Sequence, residues 1–546
     1  MDFEKLANLL YPDVKHSIQY YENIFPQRDL DKDAMVTRFA PSPTGNAHMG
    51  NIYSAFIDYV FARQTNGVLV LRIEDTDQQR QIENGIEGII DDLKNVAIVF
   101  DEDPIKGGEY GPYIQTQRKE IYDTFAKHLV SIGRAYPCFC SPDDLSKVKT
   151  EQERNKARVG YYGTYALCSK LSYEEVKDNI DKGIPWTLRL RSNGDFNRKT
   201  ILKDKVKGHI EFPENDIDYV LIKSDKIPLY HYAHVIDDHL MRITHVIRDE
   251  SWLSSYPVHA ELFKAFNFNF PYFAHISPLN VKDGESIRKI SKRKDPEAAI
   301  KFYHLKGIPY DVIKLYLATI TNSNFEEWYT RNPQSAMSDF EFSFSKMSKS
   351  GALFDLEKLY SISRIYFSRM KADELYEKTA EYLMTYDPDF YPIFTQDPAY
   401  TIRILNIERD VPKPRKDIKS YSDIKNEIEY MYDDLFDESF KETVVKDFYS
   451  IDLLTDYIDN IYDLADDNET WFEKIKELCT KYGFSSNTKD YKEHPEDYKG
   501  SVANVCELIR VAVTGRSISP DIYEILRIQG TQRIRRRTNM FISILK

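Results

Sequence analysis

The sequence predicts a parallel α/β domain followed by an all-α region, on three observations. From Met35 to about residue 100, apolar runs of strand length alternate with stretches of helical periodicity. Such alternation builds a parallel sheet covered by helices. After about residue 300 the pattern turns almost wholly helical, rich in Tyr, Asp, Glu and Lys. Finally, 546 residues are too many for one core and imply roughly three domains.

Taken in order, residues 1–35 read as a helical extension whose early acidic residues and broken hydrophobicity do not make a signal peptide. "MVTRF" is strand-like and runs into "APSPTGNAHMGN", where prolines and a glycine prevent regular structure. Ile52, Ala55, Phe56, Tyr59 and Val60 then recur at helical spacing, and Gly67 is placed to end that helix. "VLVLRIEDTD" is a second strand finishing in charge, and "QQRQIENGIEGIIDDLKNV" returns to helical spacing. Residues 115–225 are interrupted by short charged helices and by "CFC". "DYVLIKSDKIPLYHYAHVIDDHLMRITHVIR" reads as a strand-rich block. In parallel sheets ligands sit beyond the carboxyl ends of the strands, where both "APSPTGNAHMGN" and "EDTD" fall.

Composition narrows the class. An apolar fraction of 42% with 29% charged residues is ordinary for a soluble protein, and no apolar run suggests a membrane span. Five cysteines scattered over the chain do not make a disulfide framework, so a reducing, cytoplasmic compartment is expected. A net charge of −13 argues against indiscriminate binding to nucleic acid but leaves room for a local basic patch. Arg533, Arg535, Arg536 and Arg537 form one candidate, which composition alone reads as a solvated helix end.

Two stretches carry phosphate chemistry. His48 and Gly50 stand at a helix start, whose open N–H groups and positive dipole end suit a phosphate. "KISKR" offers Lys289 and Lys292 from a charged loop, able to neutralise charge on a leaving pyrophosphate.

"TRFAPSPTGNAHMGN", "LRIEDTD", "YHYAHVIDDHLMRITHVIRDESWLSS" and "KISKR", in that order, resemble glutamyl-tRNA synthetase of the bacterial type. "LIRVAVTGRSISPDIYEIL" is similar to part of that family's anticodon-binding domain, so the resemblance runs from about Val36 to the end. It implies a Rossmann-type catalytic domain at 36–330 with an acceptor-binding insertion at about 115–225. A helical connecting region at 331–385 and an all-α anticodon-binding domain at 386–546 would follow. The activity implied is ATP-dependent attachment of L-glutamate to tRNA(Glu) through a glutamyl-adenylate. Mg2+ would accompany the ATP, tRNA would be needed for adenylate formation, and the protein would be a monomer.

Carried over by residue, the resemblance places Arg38 on the substrate's side-chain carboxylate, and Ser42 and Glu74 at its α-amino group. Tyr230, His234 and Arg248 complete the amino-acid site, while His48, Gly50, Asn51, Lys289, Ser291 and Lys292 bind ATP. Two guanidiniums aimed at a carboxylate favour glutamate over glutamine. The chain departs from the family at His234, often asparagine, at Arg242, usually glycine, and at Asp249, usually a small residue. Cys138, Cys140 and Cys168 resemble a zinc site of some members, with the fourth ligand left open among Tyr161, Tyr162, Tyr165 or none. Buried free thiols are the expectation, and a structural zinc is not.

More than 200 residues after "KISKR" exclude the shorter paralogues that glutamylate a tRNA base, which lack the helical C-terminal part. The helical texture there also disfavours glutaminyl-tRNA synthetase, whose anticodon part is β-built. A degenerate RNA-binding module would have lost "HMGN" or both lysines, and this chain keeps them. The literal "KMSKS" at 346–350 has the spelling of a class I phosphate loop, but "KISKR" has the position, one helix-and-strand step after Arg248, where the catalytic half should end. Position is expected to decide.

Overall fold

The computed structural model describes residues 2–43, 48–77, 85–291, 294–440 and 445–546. Packing divides the chain into two units, Met1–Phe302 with Ile313–Asp355, and Tyr303–Val312 with Leu356–Lys546.

The first unit opens with helices α1 (Phe3–Leu10) and α2 (Ile18–Ile24), capped by the side chains of Asp2 and Ser17. Leu6, Ala7 and Leu10 are buried on α1, which packs on a helix at Lys119–Ser131. Strands β1 (Val36–Phe39) and β2 (Val68–Leu71) pair in parallel with Val36 opposite Val68, and helix α3 (Met49–Gln64) connects them. Both strands are buried along nearly their whole length, which is why they read as continuous apolar runs. Gly67 does not end α3 by adopting a left-handed conformation; Asn66 does, at φ 52°. Gly67 is needed because a Cβ there would stand 1.9 Å from the Met35 carbonyl oxygen.

The expected strand-rich block contains a helix. Helix α4 (Tyr230–Leu240) buries Tyr232, Ala233, Val235, Ile236 and Leu240, whose spacing of three and four is helical. Strand β3 (His245–Asp249) follows and pairs in parallel with β4 (Tyr272–Ile276). The backbone N–H of Thr244 donates to the Val36 carbonyl at 3.0 Å, which sets β3 beside β1. Between residues 115 and 225 an antiparallel sheet forms from Ala135–Cys138, Thr187–Leu190 and Val220–Ile222. A hairpin of Lys199–Asp204 and Gly208–Pro213 joins β4 through Asp204 and Phe273.

A small sheet completes this unit, with β5 (Leu279–Asp283) between antiparallel β6 (Ser286–Lys289) and parallel β7 (Ala352–Leu353). Residues 331–355 carry only short helical turns and β7, and they pack on α3. The Phe344 ring stacks on Phe61 at 3.8 Å, and the Gln64 amide makes hydrogen bonds in both directions with the Phe342 backbone. The second unit's described regular elements are helices around a core that includes Phe394, Leu405, Tyr457 and Ile509. Its last helix, Ile522–Leu545, is kinked at Gly530, where φ is 77°.

Candidate active site

Beyond Phe39 and Leu71 the two strand ends stay together, because Arg72 N donates to Phe39 O and Glu74 N to Pro41 O, both at 3.0 Å. This brings the "APSP" and "RIED" loops to one edge. His48 is the N-cap of α3. Its Nδ1 accepts from Asn51 N at 3.0 Å, and the Asn51 carboxamide oxygen accepts from His48 N at 3.3 Å. A Cβ at Gly50 would stand 2.9 Å from the His48 ring, so Gly50 makes room for this imidazole. Cap accepting at Nδ1 puts the ring proton on Nε2.

Arg38 is buried and its Nε donates to both oxygens of Asp238, at 3.2 and 3.3 Å, while Nη1 donates to Ile247 O. Arg72 donates to Asp238 at 2.6 Å and to Glu74 at 3.0 Å. Burial opposes ionisation of Asp238, but Arg38, His234 and Arg72 hold it well below the usual carboxylate range. Burial, only partly offset by Arg72 and Arg38, raises Glu74. Ser42 is exposed in the loop after β1.

Arg248, at the end of β3, is arranged differently. Its Nε donates to His275 Nε2 at 3.0 Å, Nη2 to His259 Nδ1 at 3.2 Å and Nη1 to the Tyr230 hydroxyl at 3.3 Å. His234 Nε2 lies 3.5 Å from Nη1. Burial pushes the imidazoles down, His234 to about 3 and His231, behind His259, to about 4. Burial likewise lowers His259 and His275. Arg248 therefore sits among neutral acceptors, and among the described residues no carboxylate lies within ion-pair distance of it. A buried guanidinium with no internal counter-charge favours an anionic ligand.

Asp249, next along β3, accepts from Lys289 Nζ at 2.9 Å, so the "KISKR" segment lies against the same strand end. The Ser291 N–H donates to Asp295, which also receives a double hydrogen bond from Arg288. His48 and Ala299 form a β-bridge, tying the α3 start to the chain just after that loop. Lys292 lies outside the described residues. The literal "KMSKS" lies beside the small sheet too, but there the Lys349 carbonyl accepts from Ser277 Oγ at 2.9 Å while its side chain is exposed.

Arg72, Asp238, His259 and His275 pack against Arg38, Glu74 and Arg248 and were missed by sequence reasoning; the only local sign was the spacing of four between His234 and Asp238. Arg242 has φ 58°, the left-handed turn conformation that glycine adopts without strain. Its guanidinium bonds Glu22 at 2.8 Å and the Phe25 carbonyl, tying α2 to the turn after α4. Cys138, Cys140 and Cys168 converge, with Cys140 and Cys168 Sγ 3.5 Å apart. Of the three tyrosines left open, Tyr161 is the one whose hydroxyl faces them, 3.5 Å from Cys138 Sγ and 3.3 Å from Cys140 Sγ. The C-terminal arginines are no free patch. Arg537 is buried on Tyr430 O, Val513 O and Asp433, and Arg533, Arg535 and Arg536 pair with Asp433, Asp459 and Asp437.

Comparison with known proteins places this geometry. Residues 34–361 match the family described as tRNA synthetases class I (E and Q), catalytic domain, and residues 374–542 match an anticodon binding domain family. A glutamate–tRNA ligase of Acetivibrio thermocellus is 42% identical over 98% of this chain and 99% of its own length. One of Clostridium beijerinckii is 41% identical over the full length of both. A solved glutamate tRNA ligase from Elizabethkingia meningosepticum, in complex with its amino acid, superposes with a TM-score of 0.74 at 26% identity. It covers 94% of this chain and all of its own.

Proposed function

The chain belongs to the class I tRNA synthetases of the E and Q group, and from this premise we propose that it is a glutamate–tRNA ligase acting on L-glutamate, ATP and tRNA(Glu). The carrying observation is Arg248, a buried cation whose partners at 3.0–3.5 Å are all neutral. A glutamate side-chain carboxylate would complete that charge, whereas a glutamine amide would leave it uncompensated.

In the first step an α-carboxylate oxygen attacks the α-phosphorus of ATP. The P–O bond to the leaving group breaks, and pyrophosphate departs. In the second, a hydroxyl of the terminal tRNA ribose attacks the glutamyl carbonyl, giving glutamyl-tRNA and AMP. The protein's work is positioning and charge neutralisation. Arg38, oriented by Asp238, and Arg248 face the side-chain carboxylate; Ser42 and Glu74 face the α-amino group, with Tyr230 and His234 closing the site. His48, Gly50 and Asn51 at the α3 start, with Lys289, Ser291 and Lys292, hold ATP, which Mg2+ would accompany. Residues 1–35 are an extension, 36–330 the catalytic domain with its insertion at 115–225, 331–385 a connecting region and 386–546 the anticodon-binding domain. The protein works as a cytoplasmic monomer.

The sequence left the fourth ligand open and zinc unexpected; the convergence of the three thiols on the Tyr161 hydroxyl supplies three sulfurs and one oxygen that could hold a zinc. Bound there, zinc would stabilise the insertion and take no part in the two steps.

Glutamate-, ATP- and tRNA-dependent pyrophosphate exchange tests the reading. Folded protein that binds tRNA yet shows no exchange would overturn it.

A further inference from the structure

Three buried arginines meet in this region, and the fold treats one of them differently. Arg38 and Arg72 are both paired with carboxylates, Asp238 serving both and Glu74 adding to Arg72. Carboxylates were thus available to this part of the chain. Arg248 instead receives imidazoles and a phenol.

Each imidazole acts as an acceptor because of a group behind it. His275 Nδ1 lies 2.7 Å from an oxygen of Asp204, which also accepts the His275 backbone N–H at 3.0 Å. The ring proton therefore sits on Nδ1, and Nε2 is bare for Arg248 Nε. His259 accepts from Arg248 at Nδ1, so its proton lies on Nε2 and points to His231 Nδ1 at 2.9 Å. His234 Nδ1 lies 2.8 Å from Asp238, leaving its Nε2 toward Arg248. The tautomers of His275 and His259 are mutually consistent: both rings turn a lone pair to the cation, and neither brings a negative charge to it. Five N–H groups on the guanidinium exceed the four acceptors, so the fork stays both oriented and short of counter-charge.

We propose that His259 with His231, and His275 with Asp204, are positioning residues that set the preference for glutamate over glutamine, by fixing Arg248 without neutralising it. The proposal rests on the reading of the chain as a glutamate–tRNA ligase. A carboxylate at position 259 would pair with Arg248 in advance and remove the reason to prefer a charged substrate. An amide at position 204 could donate to His275 Nδ1, moving that ring's proton to Nε2, where it would oppose the N–H of Arg248.

The test is steady-state pyrophosphate exchange by the full chain with tRNA, run with glutamate and with glutamine. Wild-type protein that shows no glutamate-dependent exchange sinks the underlying ligase reading. Given an active wild type, His259→Asp should lower kcat/KM for glutamate by about 100-fold or more, the scale of one buried charge contact. The glutamine value should change by less than about 5-fold, so the glutamate-to-glutamine ratio collapses. His259→Asn, a neutral acceptor of similar reach, should keep most of the ratio. Asp204→Asn should raise KM for glutamate by about 10-fold with KM for ATP unchanged. Equal losses for both amino acids, or a KM for ATP that moves with KM for glutamate, would mean a merely structural role and overturn the proposal. Should His259→Asp not fold, Asp204→Asn with its KM split decides the matter alone.

Discussion

Replacing Arg248 by Met should separate binding from stability, because the guanidinium has no carboxylate to orphan. Removing one partner of a buried ion pair usually costs about 3–5 kcal/mol, since the other charge is left unpaired in a poor dielectric. Here the substitution removes a buried cation, which is itself worth a few kcal/mol in relief of desolvation. Against this stand the lost hydrogen bonds to His275 and His259, at 3.0 and 3.2 Å, each worth about 1 kcal/mol and leaving a bare ring nitrogen. These terms nearly cancel, so the unfolding free energy should change by less than about 2 kcal/mol. Binding has no such cancellation: losing a buried charge contact to a carboxylate costs about 3–5 kcal/mol, or roughly 100- to several-thousand-fold in KM for glutamate. Urea unfolding without ligand and pyrophosphate exchange read the two quantities. Asp238→Ala is the control, since it strips carboxylate partners from Arg38 and Arg72 and should cost at least about 3 kcal/mol. If Arg248→Met destabilised as much as Asp238→Ala while glutamate KM stayed put, Arg248 would be a structural cation and the assignment would fall.

Stability should fall from pH 7.5 to 5.5. His231, His234, His259 and His275 have folded values pushed down by burial, so below about 6.5 the unfolded chain binds protons that the folded chain does not. Each imidazole held below that interval, His231, His234 and His259, costs about 1.4 kcal/mol over it, on the order of 4 kcal/mol together, and a urea midpoint flat in pH would contradict the neutral shell. Arg242→Gly should be more stable than Arg242→Ala by about 1 kcal/mol, reversing the usual order, because only glycine relieves φ 58°. Calorimetry that ranks alanine higher would remove the strain argument. Lys349→Ala should change adenylation less than about 3-fold, since the fold uses the Lys349 carbonyl; Lys289→Ala should slow it by at least about 10-fold in single-turnover assays. The reverse order would return the phosphate loop to the literal pentapeptide. Purified protein should carry about one zinc per chain by elemental analysis, lost in Cys138→Ser. Wild-type protein free of zinc after purification without chelators would count against the site.

What the sequence determined by itself follows from local pattern. The apolar runs of β1 and β2, the helical spacing of α3 and the all-helical second unit were legible because each is a repeat of buried positions along a few residues. Arg38, Glu74 and Arg248 were reachable through motifs, and all three fall in one buried region. The α4 helix was misread because its buried positions sit among "HYAH" and "DDH", charged and aromatic letters that blur the period. Only tertiary structure could decide that Arg38 is tied to Asp238, 200 residues away, while Arg248 is left to imidazoles from α4, β4 and a neighbouring helix. It also set the Lys289 ammonium on Asp249 and gave the Lys349 carbonyl, rather than its side chain, to Ser277. Whether a buried charge has a partner depends on which strands and helices converge around it. That convergence is a property of long-range packing, and no window of sequence contains it.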